Sequence, residues 1–245
     1  MKMRCCSACP LAPLSVVLAV VAVAAIVTAG LGYRAGWWHF LTGLRIAEWA
    51  AYASAAALAG SLVAAWLTRP GVAGRSGFIM ALAGIVFALP VVLAAVQWEL
   101  AARTYPAIND VSTDLDDPPV FWEMPNPADH PGEQFAEMQR QGYPDLAPLQ
   151  VAVTPQQAFE QALTLVGERG WEVLAADDVD LRIEATATSR LYGFTDEIVI
   201  RVSESGVGAR IDMRSRSRLG RIDRGVNAAR IRAFLEDLTP RLSAG

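Results

Sequence analysis

The sequence has 245 residues, 53% of them hydrophobic and 19% charged, with a formal net charge of −4. These totals hide a division, because residues 1–103 carry 7 basic and 2 acidic side chains whereas residues 104–245 carry 14 basic and 23 acidic ones. The division excludes a single soluble globular domain, and the apolar content of both halves excludes a mainly disordered chain. Because the polar half has an acidic excess, we expect no nucleic-acid partner.

Three apolar stretches are long enough to cross a bilayer, which takes about 20 mostly apolar residues in a helix. They cover about residues 14–32, 46–67 and 78–98, and tryptophans lie near their ends, as is typical of the headgroup region. No charged side chain falls at the centre of a stretch, which argues against an ion channel or a transporter. Residues 1–103 are therefore predicted to form a membrane domain of three transmembrane helices in contact with the lipid bilayer.

Small residues repeat at four-residue intervals within the second stretch. The two rows are Ala51, Ala55 and Ala59, and Gly60 and Ala64. Such rows let helix backbones approach closely in lipid, so they predict close packing among the three spans or, as the alternative, a homodimer through the second span. Arg45 lies three residues before Glu48 at one end of this stretch, which predicts an ion pair at the headgroup level.

The orientation follows from the Lys and Arg residues in the short flanking segments. With the amino terminus in the cytoplasm, four such residues lie on the cytoplasmic side and three on the other side. They are Lys2, Arg4, Arg69 and Arg75, and Arg34, Arg45 and Arg103. The use of one Lys against twenty Arg, with abundant Ala, is typical of a GC-rich bacterial genome. We therefore expect a bacterial inner (plasma) membrane protein with a periplasmic carboxy-terminal domain; a cleaved signal peptide in place of the first span is the alternative.

All three cysteines, Cys5, Cys6 and Cys9, precede the first span. The spacing of Cys6 and Cys9 is that of a redox or metal pair, but a zinc site needs four ligands and no second pair follows. We therefore expect no metal and no cofactor at these thiols.

Residues 104–150 carry 9 acidic side chains and one Arg, are rich in Pro, Asp and Asn, and show no helical or strand period. This composition predicts an extended acidic, Pro-rich connector, some of it lying against the domain that follows. Residues 151–245 predict a helix, four strands and a second helix. The strand-like runs are 171–176, 181–189, 197–203 and 207–217, and the helices begin near residues 155 and 226. The predicted fold class is α+β: three transmembrane helices, then a two-layer domain in which two helices pack on a four-stranded antiparallel sheet with a charged outer face.

Four aspartates in the connector, Asp110, Asp114, Asp116 and Asp117, offer oxygen ligands for calcium. The loop spacing, central glycine and terminal glutamate of an EF-hand are missing. We therefore expect a solvated or helix-capping acidic segment without a bound metal, and keep calcium binding as the alternative.

Four arginines, Arg210, Arg214, Arg216 and Arg218, are expected on one side of the last strand. Guanidinium groups bind carboxylates and phosphates through paired hydrogen bonds, so this Arg row could bind anionic lipid or a small anion. The alternative is a structural charge ladder, in which acidic residues on neighbouring positions neutralise the row. Those acidic residues are Glu184, Glu197 and Asp212.

Enzyme signatures are missing from the sequence. The two histidines, His39 and His130, occur outside any catalytic motif, and we find no phosphate-binding glycine loop and no zinc-ligand helix. We therefore expect no catalytic residues and no enzymatic activity.

Several ordered motifs resemble a known domain family. They are INDVSTDLDDPPVF at 108–121, YPDLAPL at 143–149, GFTDEIVIRV at 193–202, and a stretch at 210–238 that includes RSRSRLGRIDRGVNAARIRAFL. They resemble the uncharacterised DUF1499 family over about residues 104–242. Members of that family occur in bacteria and plastids, and some bacterial members have several spans before the domain. The resemblance implies the architecture and implies no reaction, cofactor or catalytic residue.

The function expected from the sequence is that of an integral membrane protein acting as an interaction or envelope-support module, for example as an accessory subunit of a membrane complex. The alternative is a binding protein for anionic lipid or a small anionic ligand through the Arg row.

Overall fold

The computed structural model describes residues 7–71, 75–125, 129–206 and 208–243. Cys5, Cys6, Lys2 and Arg4 lie outside the described residues. The chain divides into two compact units, one of residues 1–100 with 190–193 and one of residues 101–189 with 194–245. The elements in chain order are β1 (Ser7–Ala8), α1 (Leu11–Arg34), α2 (Phe40–Thr68), β2 (Arg75–Ser76), α3 (Phe78–Thr104), β3 (Asp110–Ser112), α4 (Glu133–Gly142), β4 (Leu149–Val151), α5 (Pro155–Glu168), β5 (Glu172–Asp177), β6 (Arg182–Thr188), β7 (Thr195–Ser205), β8 (Gly208–Ser217) and α6 (Val226–Ser243).

The first unit is built on α1, α2 and α3, each of which is long and apolar enough to cross a membrane. The three predicted spans lie within these helices. Small buried residues join the helices in two clusters, whereas large apolar side chains point outwards. The clusters are Ala12, Ala64 and Ala81, and Ala19, Ala57 and Ala88. An alanine-sized contact surface is what allows helices to pack closely in lipid, where burial of apolar surface supplies no driving force.

Two glycines show how close this packing is. A Cβ added to Gly60 would lie 2.4 Å from the Ser15 Oγ atom, and one added to Gly84 would lie 2.2 Å from the Ser61 Oγ atom. The Gly60 and Ala64 row therefore packs within the chain. The row of Ala51, Ala55 and Ala59 is not buried, so its use in a homodimer stays a prediction.

The second unit contains one sheet of antiparallel neighbours in the order β3-β8-β7-β6-β5, and β4 also pairs with β8. The predicted four-stranded sheet is therefore wrong in strand number, because the sheet has six strands. The four predicted strands correspond to β5–β8. Strand β3 and helix α4 lie within residues 104–150, where an extended connector was expected, and β4 (Leu149–Val151) lies at its end. Strands of three residues are too short to show an alternating pattern, which explains the omission.

One face of the sheet carries the hydrophobic core. Apolar side chains of β6, β7 and β8 pack against α5 and α6, and Trp171 stacks on Phe234 with ring centroids 5.4 Å apart. The start of α5 has the predicted capping box, in which Thr154 and Gln157 satisfy each other's backbone N–H groups. The core also includes Ile108, Val111 and other residues that precede residue 151.

The opposite face of the sheet was expected to be charged, with part of the connector lying somewhere against the domain, and the structure shows that the connector lies on this face. Residues 113–125 cross this face, and Phe121 and Met124 form a buried cluster with Val199 of β7. The domain therefore has three layers: helices, sheet and a covering segment. The cover was hard to foresee because its apolar residues are few and do not repeat at a regular interval.

A side chain of α4 protects the outer edge of β3. The Gln139 Nε2 atom donates to the Ser112 carbonyl oxygen at 2.6 Å, and the Ser112 N–H donates to Gln139 Oε1 at 3.0 Å. The amide thus makes the two bonds that a further strand would make, and satisfies a buried backbone position.

Candidate functional site

The face beneath residues 113–125 brings together the two charged features that the sequence showed separately. We call it the charged face, defined by the outward side chains of β6, β7 and β8 and the acidic residues of the 110–117 segment. The antiparallel register places Arg214 beside Val199, Arg216 beside Glu197 and Asp212 beside Arg201. These side chains share one face because residues two apart on a strand point the same way.

The Arg214–Asp110 pair lies deepest in this face. Arg214 Nε donates to Asp110 Oδ1 at 2.9 Å, and Arg214 Nη2 donates to Asp110 Oδ2 at 2.7 Å. Arg214 Nη1 also donates to the Pro119 carbonyl oxygen at 3.1 Å. The Arg214 side chain is only 1% exposed. A guanidinium can be buried in this way only because its donors are paired with a carboxylate and a carbonyl.

A second group of charges lies towards the start of β8. Arg201 Nη1 donates to Asp117 at 2.8 Å and Arg201 Nη2 to Asp114 at 3.1 Å. Arg210 Nη2 donates to the same Asp114 carboxylate at 2.6 Å, and Arg210 Nε donates to Asp212 at 2.9 Å. Asp114 is thus shared between two strands and holds the covering segment to both.

Glu197 of β7 accepts from both remaining arginines of the row. Arg216 Nε lies 2.5 Å from Glu197 Oε2, and Arg218 Nε lies 2.9 Å from Glu197 Oε1. The Phe121 ring covers two of the guanidinium groups, with its centroid 4.3 Å from Arg216 Cζ and 4.9 Å from Arg214 Cζ. The aromatic face adds an electrostatic attraction and excludes water.

Glu184 of β6 is a fully buried carboxylate that anchors the cover. The Trp122 N–H donates to Glu184 Oε1 at 2.7 Å, and the Glu123 N–H donates to Glu184 Oε2 at 3.1 Å. Arg182 Cζ stacks over the Trp122 ring at 3.8 Å from its centroid. Two backbone donors and a nearby guanidinium therefore balance this buried charge.

The predicted acidic residues and the predicted Arg row are thus largely partners of each other. Arg214 and Arg216 are buried, whereas the side chains of Arg210 and Arg218 are 34% and 35% exposed. Asp110, Asp114 and Asp117 accept from arginines, and Asp116 is exposed with its N–H donating to Asp114. The geometry is that of a charge ladder. Binding of anionic lipid or a small anion by the row stays a prediction, and such a ligand would have to displace these carboxylates.

Calcium binding by the same aspartates also stays a prediction. Within the described ranges, no group of three or more His, Cys, Asp and Glu side chains is arranged to hold a metal ion. A calcium ion would compete with Arg201 and Arg210 for Asp114.

A buried polar network at the start of α6 is a feature that sequence reasoning missed. The Asn227 side chain donates to the Asn109 carbonyl oxygen at 3.0 Å, and the Ser215 hydroxyl donates to Asn227 Oδ1 at 2.8 Å. Asp223 accepts from the N–H groups of Gly225 and Asn227 at 2.9 and 2.7 Å. Burial raises the pKa of Asp223, and these backbone hydrogen bonds partly offset the increase. An aspartate just before an apolar helical period is a capping signal and could have identified Asp223.

His130 is the histidine of this domain. Its Nδ1 atom accepts from the Gly132 N–H at 3.4 Å, and burial lowers the pKa of the imidazole. Asp110 and Arg214, the two charged groups that influence this pKa, form an ion pair with each other. The expectation that the protein is not an enzyme stays a prediction.

The fold and the charged face together define a class: a membrane protein with three apolar helices and an α+β domain whose polar sheet face is closed by its own amino-terminal segment. The chain belongs to the family described as protein of unknown function (DUF1499), whose model matches residues 110–238. The matched region begins at Asp110 and includes the covering segment, β3, α4 and β4, so the family unit contains the residues that close the sheet. No curated protein matches the chain.

Proposed function

We propose that the protein is a non-enzymatic interaction module anchored in the membrane, and that β5 forms its docking edge for a protein partner. Among the described strands β5 pairs with β6 alone, whereas β8 is covered along its outer side by β3 and β4. The single observation that carries the proposal is the exposure of apolar side chains on this open edge. Val173 and Leu174 are each 39% exposed.

An open edge strand presents unpaired N–H and C=O groups that a strand of another protein can extend. Soluble proteins usually protect such an edge with charges, prolines or a covering element, since it otherwise invites aggregation. β5 carries Glu172 and Asp177 at its ends but apolar residues between them. This pattern favours a partner that adds a strand and covers Val173 and Leu174.

The proposed setting is the bacterial inner membrane, with the domain on the periplasmic side and the protein serving as an accessory subunit of a membrane complex. The three apolar helices support membrane attachment, and the majority of Lys and Arg in the predicted cytoplasmic flanks supports the orientation. A homodimer through Ala51, Ala55 and Ala59 is compatible with this role, because that row is not buried within the chain.

Affinity purification of the full chain in mild detergent tests the docking edge. The variant is Leu174→Lys, and the matched control is Leu219→Lys, since Leu219 lies in the loop before α6 and is 38% exposed. We expect a stoichiometric protein partner with the wild type and the control, and its loss with Leu174→Lys. A partner retained by Leu174→Lys would place docking elsewhere on the protein. Recovery of no stoichiometric partner from native membranes would contradict the interaction module.

A further inference from the structure

An apolar groove of about 370 Å³ runs between α1 and α2 on the first unit. Ala22 and Ala25 of α1 and Ala53 of α2 are among the residues that line it. Thr42 and Arg45 of α2 lie at one end. Val21, Ile46 and Trp49 also line the groove, so its wall is apolar except at Thr42 and Arg45 and suits a hydrocarbon chain.

The groove reaches from the predicted headgroup region into one leaflet of the bilayer. Thr42 and Ala53 are eleven residues apart in α2, which corresponds to roughly 16 Å at a rise of about 1.5 Å per residue. Because the predicted span starts near Ile46, about 10 Å of this length lies in the hydrocarbon core, half of which is about 15 Å thick. Ala53 lies at the middle of α2, which spans Phe40–Thr68, so the groove extends from the polar end of the helix to its centre.

The charge at the polar end is available for a ligand. Arg45 is exposed, and within the described ranges it makes neither an ion pair nor a hydrogen bond. The predicted pairing with Glu48 is wrong, because Glu48 instead accepts from the Tyr52 hydroxyl at 3.2 Å. Trp49, also a groove residue, places its ring at the same end of α2, where indole rings favour the headgroup region.

We propose that this groove is a binding site for an anionic glycerophospholipid. Its phosphate is held by the Arg45 guanidinium and the Thr42 hydroxyl, and one acyl chain lies between α1 and α2 as far as Ala53. A guanidinium matches phosphate geometry through paired charge-assisted hydrogen bonds, and the low dielectric near the hydrocarbon strengthens them. The combination of a cation at one end and an apolar groove that enters the hydrocarbon core selects an amphipathic anion over a soluble one.

Native mass spectrometry of the full chain in detergent, supplied with phosphatidylglycerol or phosphatidylcholine, tests the site. Arg45→Gln removes the charge, Ala53→Leu fills the deep end, and Arg69→Gln is the matched control, because Arg69 follows the opposite end of the same helix. We expect wild type and Arg69→Gln to retain one phosphatidylglycerol in preference to phosphatidylcholine. Arg45→Gln should weaken phosphatidylglycerol binding by about tenfold, the change that corresponds to about 1.4 kcal/mol. Ala53→Leu should reduce binding of both lipids.

The result that overturns the proposal is equal retention of phosphatidylglycerol by wild type, Arg45→Gln and Ala53→Leu. The proposal is also overturned if the wild type retains no lipid and two chains carrying Ala53→Cys, with the three native cysteines replaced by serine, form a disulfide with each other. A second protein helix would then occupy the groove. Circular dichroism of each variant checks that the helices are intact.

Discussion

At the residue scale, the Arg214–Asp110 pair shows what burial of charge requires. Both groups are removed from water, and their bidentate contact, the Pro119 carbonyl oxygen and the Phe121 ring compensate for the lost hydration. A buried pair of this kind adds little stability relative to an apolar pair, but loss of one member leaves an uncompensated charge in the interior.

We therefore expect Arg214→Leu to lower the free energy of unfolding of the domain by about 3 to 5 kcal/mol. The double variant Arg214→Leu, Asp110→Leu should be more stable than either single variant, since no buried charge remains. These differences can be measured by urea unfolding of the full chain in detergent, with pulse proteolysis of the carboxy-terminal domain as the readout of the unfolded fraction.

The matched control for this cycle is Arg232→Leu. Arg232 also forms a bidentate pair, with Asp145, but the two side chains are 37% and 56% exposed. An exposed pair contributes about 1 kcal/mol or less. If Arg214→Leu were no more destabilising than Arg232→Leu, burial would not be the reason that the charged face is paired.

The raised pKa of Asp223 leads to a prediction of how the free energy of unfolding depends on pH. Burial raises its pKa in the folded state above the ordinary value of 3.8, so the folded protein binds this proton more tightly than the unfolded chain does. Stability contributed by this group is present at low pH and is lost as the pH rises through the raised pKa. We expect the difference in unfolding free energy between wild type and Asp223→Asn, measured by the same urea assay, to shift in favour of the variant as the pH rises above 3.8. This shift adds to a pH-independent cost, because the Asn NH₂ group would face one of the two N–H donors that the carboxylate accepts from.

Asp145 serves as the control, because its pKa is shifted in the opposite direction from that of Asp223. Its hydrogen bond from Arg232 lowers the pKa of this carboxyl below 3.8, so its contribution is complete above that value and is lost at lower pH. The difference between wild type and Asp145→Asn should therefore stay constant over the range in which Asp223→Asn changes. A constant difference for Asp223→Asn as well would show that its carboxyl is not titrating there.

At the element scale, the covering segment depends on one acceptor on β6. The Glu184 carboxylate uses two oxygens for the N–H groups of Trp122 and Glu123, whereas a glutamine offers one oxygen and an NH₂ group that faces a donor. We expect Glu184→Gln to cost about 1 to 3 kcal/mol and to accelerate hydrogen exchange in residues 113–125. Glu172→Gln, at an exposed position of β5, is the control and should leave exchange in this segment unchanged.

The packing of α3 gives a separate prediction. Gly84 faces Ser61 of α2, and the site has no space for a side chain. We expect Gly84→Leu to separate α3 from the other helices and to lower the thermal stability of the full chain in detergent, whereas Ala94→Leu on an exposed part of α3 should have little effect. Equal melting of the two variants would contradict the tight packing at Gly84.

The elements that sequence reasoning could identify are those with a clear period. Helices α5 and α6 and strands β6 to β8 each repeat apolar residues at the helical or strand interval, β5 is a short apolar run, and the spans are long and uncharged. Strands β3 and β4 have three residues each, and α4 is mostly polar, so none of them carries a strong pattern. The pairing within the charged face could not be predicted for a similar reason. Asp110 and Arg214 could each be identified as candidates, but no local spacing shows that residues 104 positions apart are partners.

At the scale of the whole molecule, the orientation of the chain in the membrane is the prediction with the widest consequence. The distribution of Lys and Arg in the segments that flank the spans predicts a periplasmic carboxy terminus. A fusion of alkaline phosphatase after Gly245 should be active, and a fusion of green fluorescent protein at the same position should not fluoresce. The opposite pattern would place the domain in the cytoplasm, and the proposed periplasmic partner would then be wrong.

The position of Asp110 in the chain also determines when the domain can complete its fold. The aspartate is synthesised 104 residues before the arginine that it binds. The strand partner of β3 is the last strand of the sheet, and contacts of such long range are expected to make folding slow, because a large loop must close first. Before β8 is synthesised, the carboxylates of the 110–117 segment lack these arginine partners and repel one another. We therefore expect the segment to stay hydrated until the arginines of β8 are present.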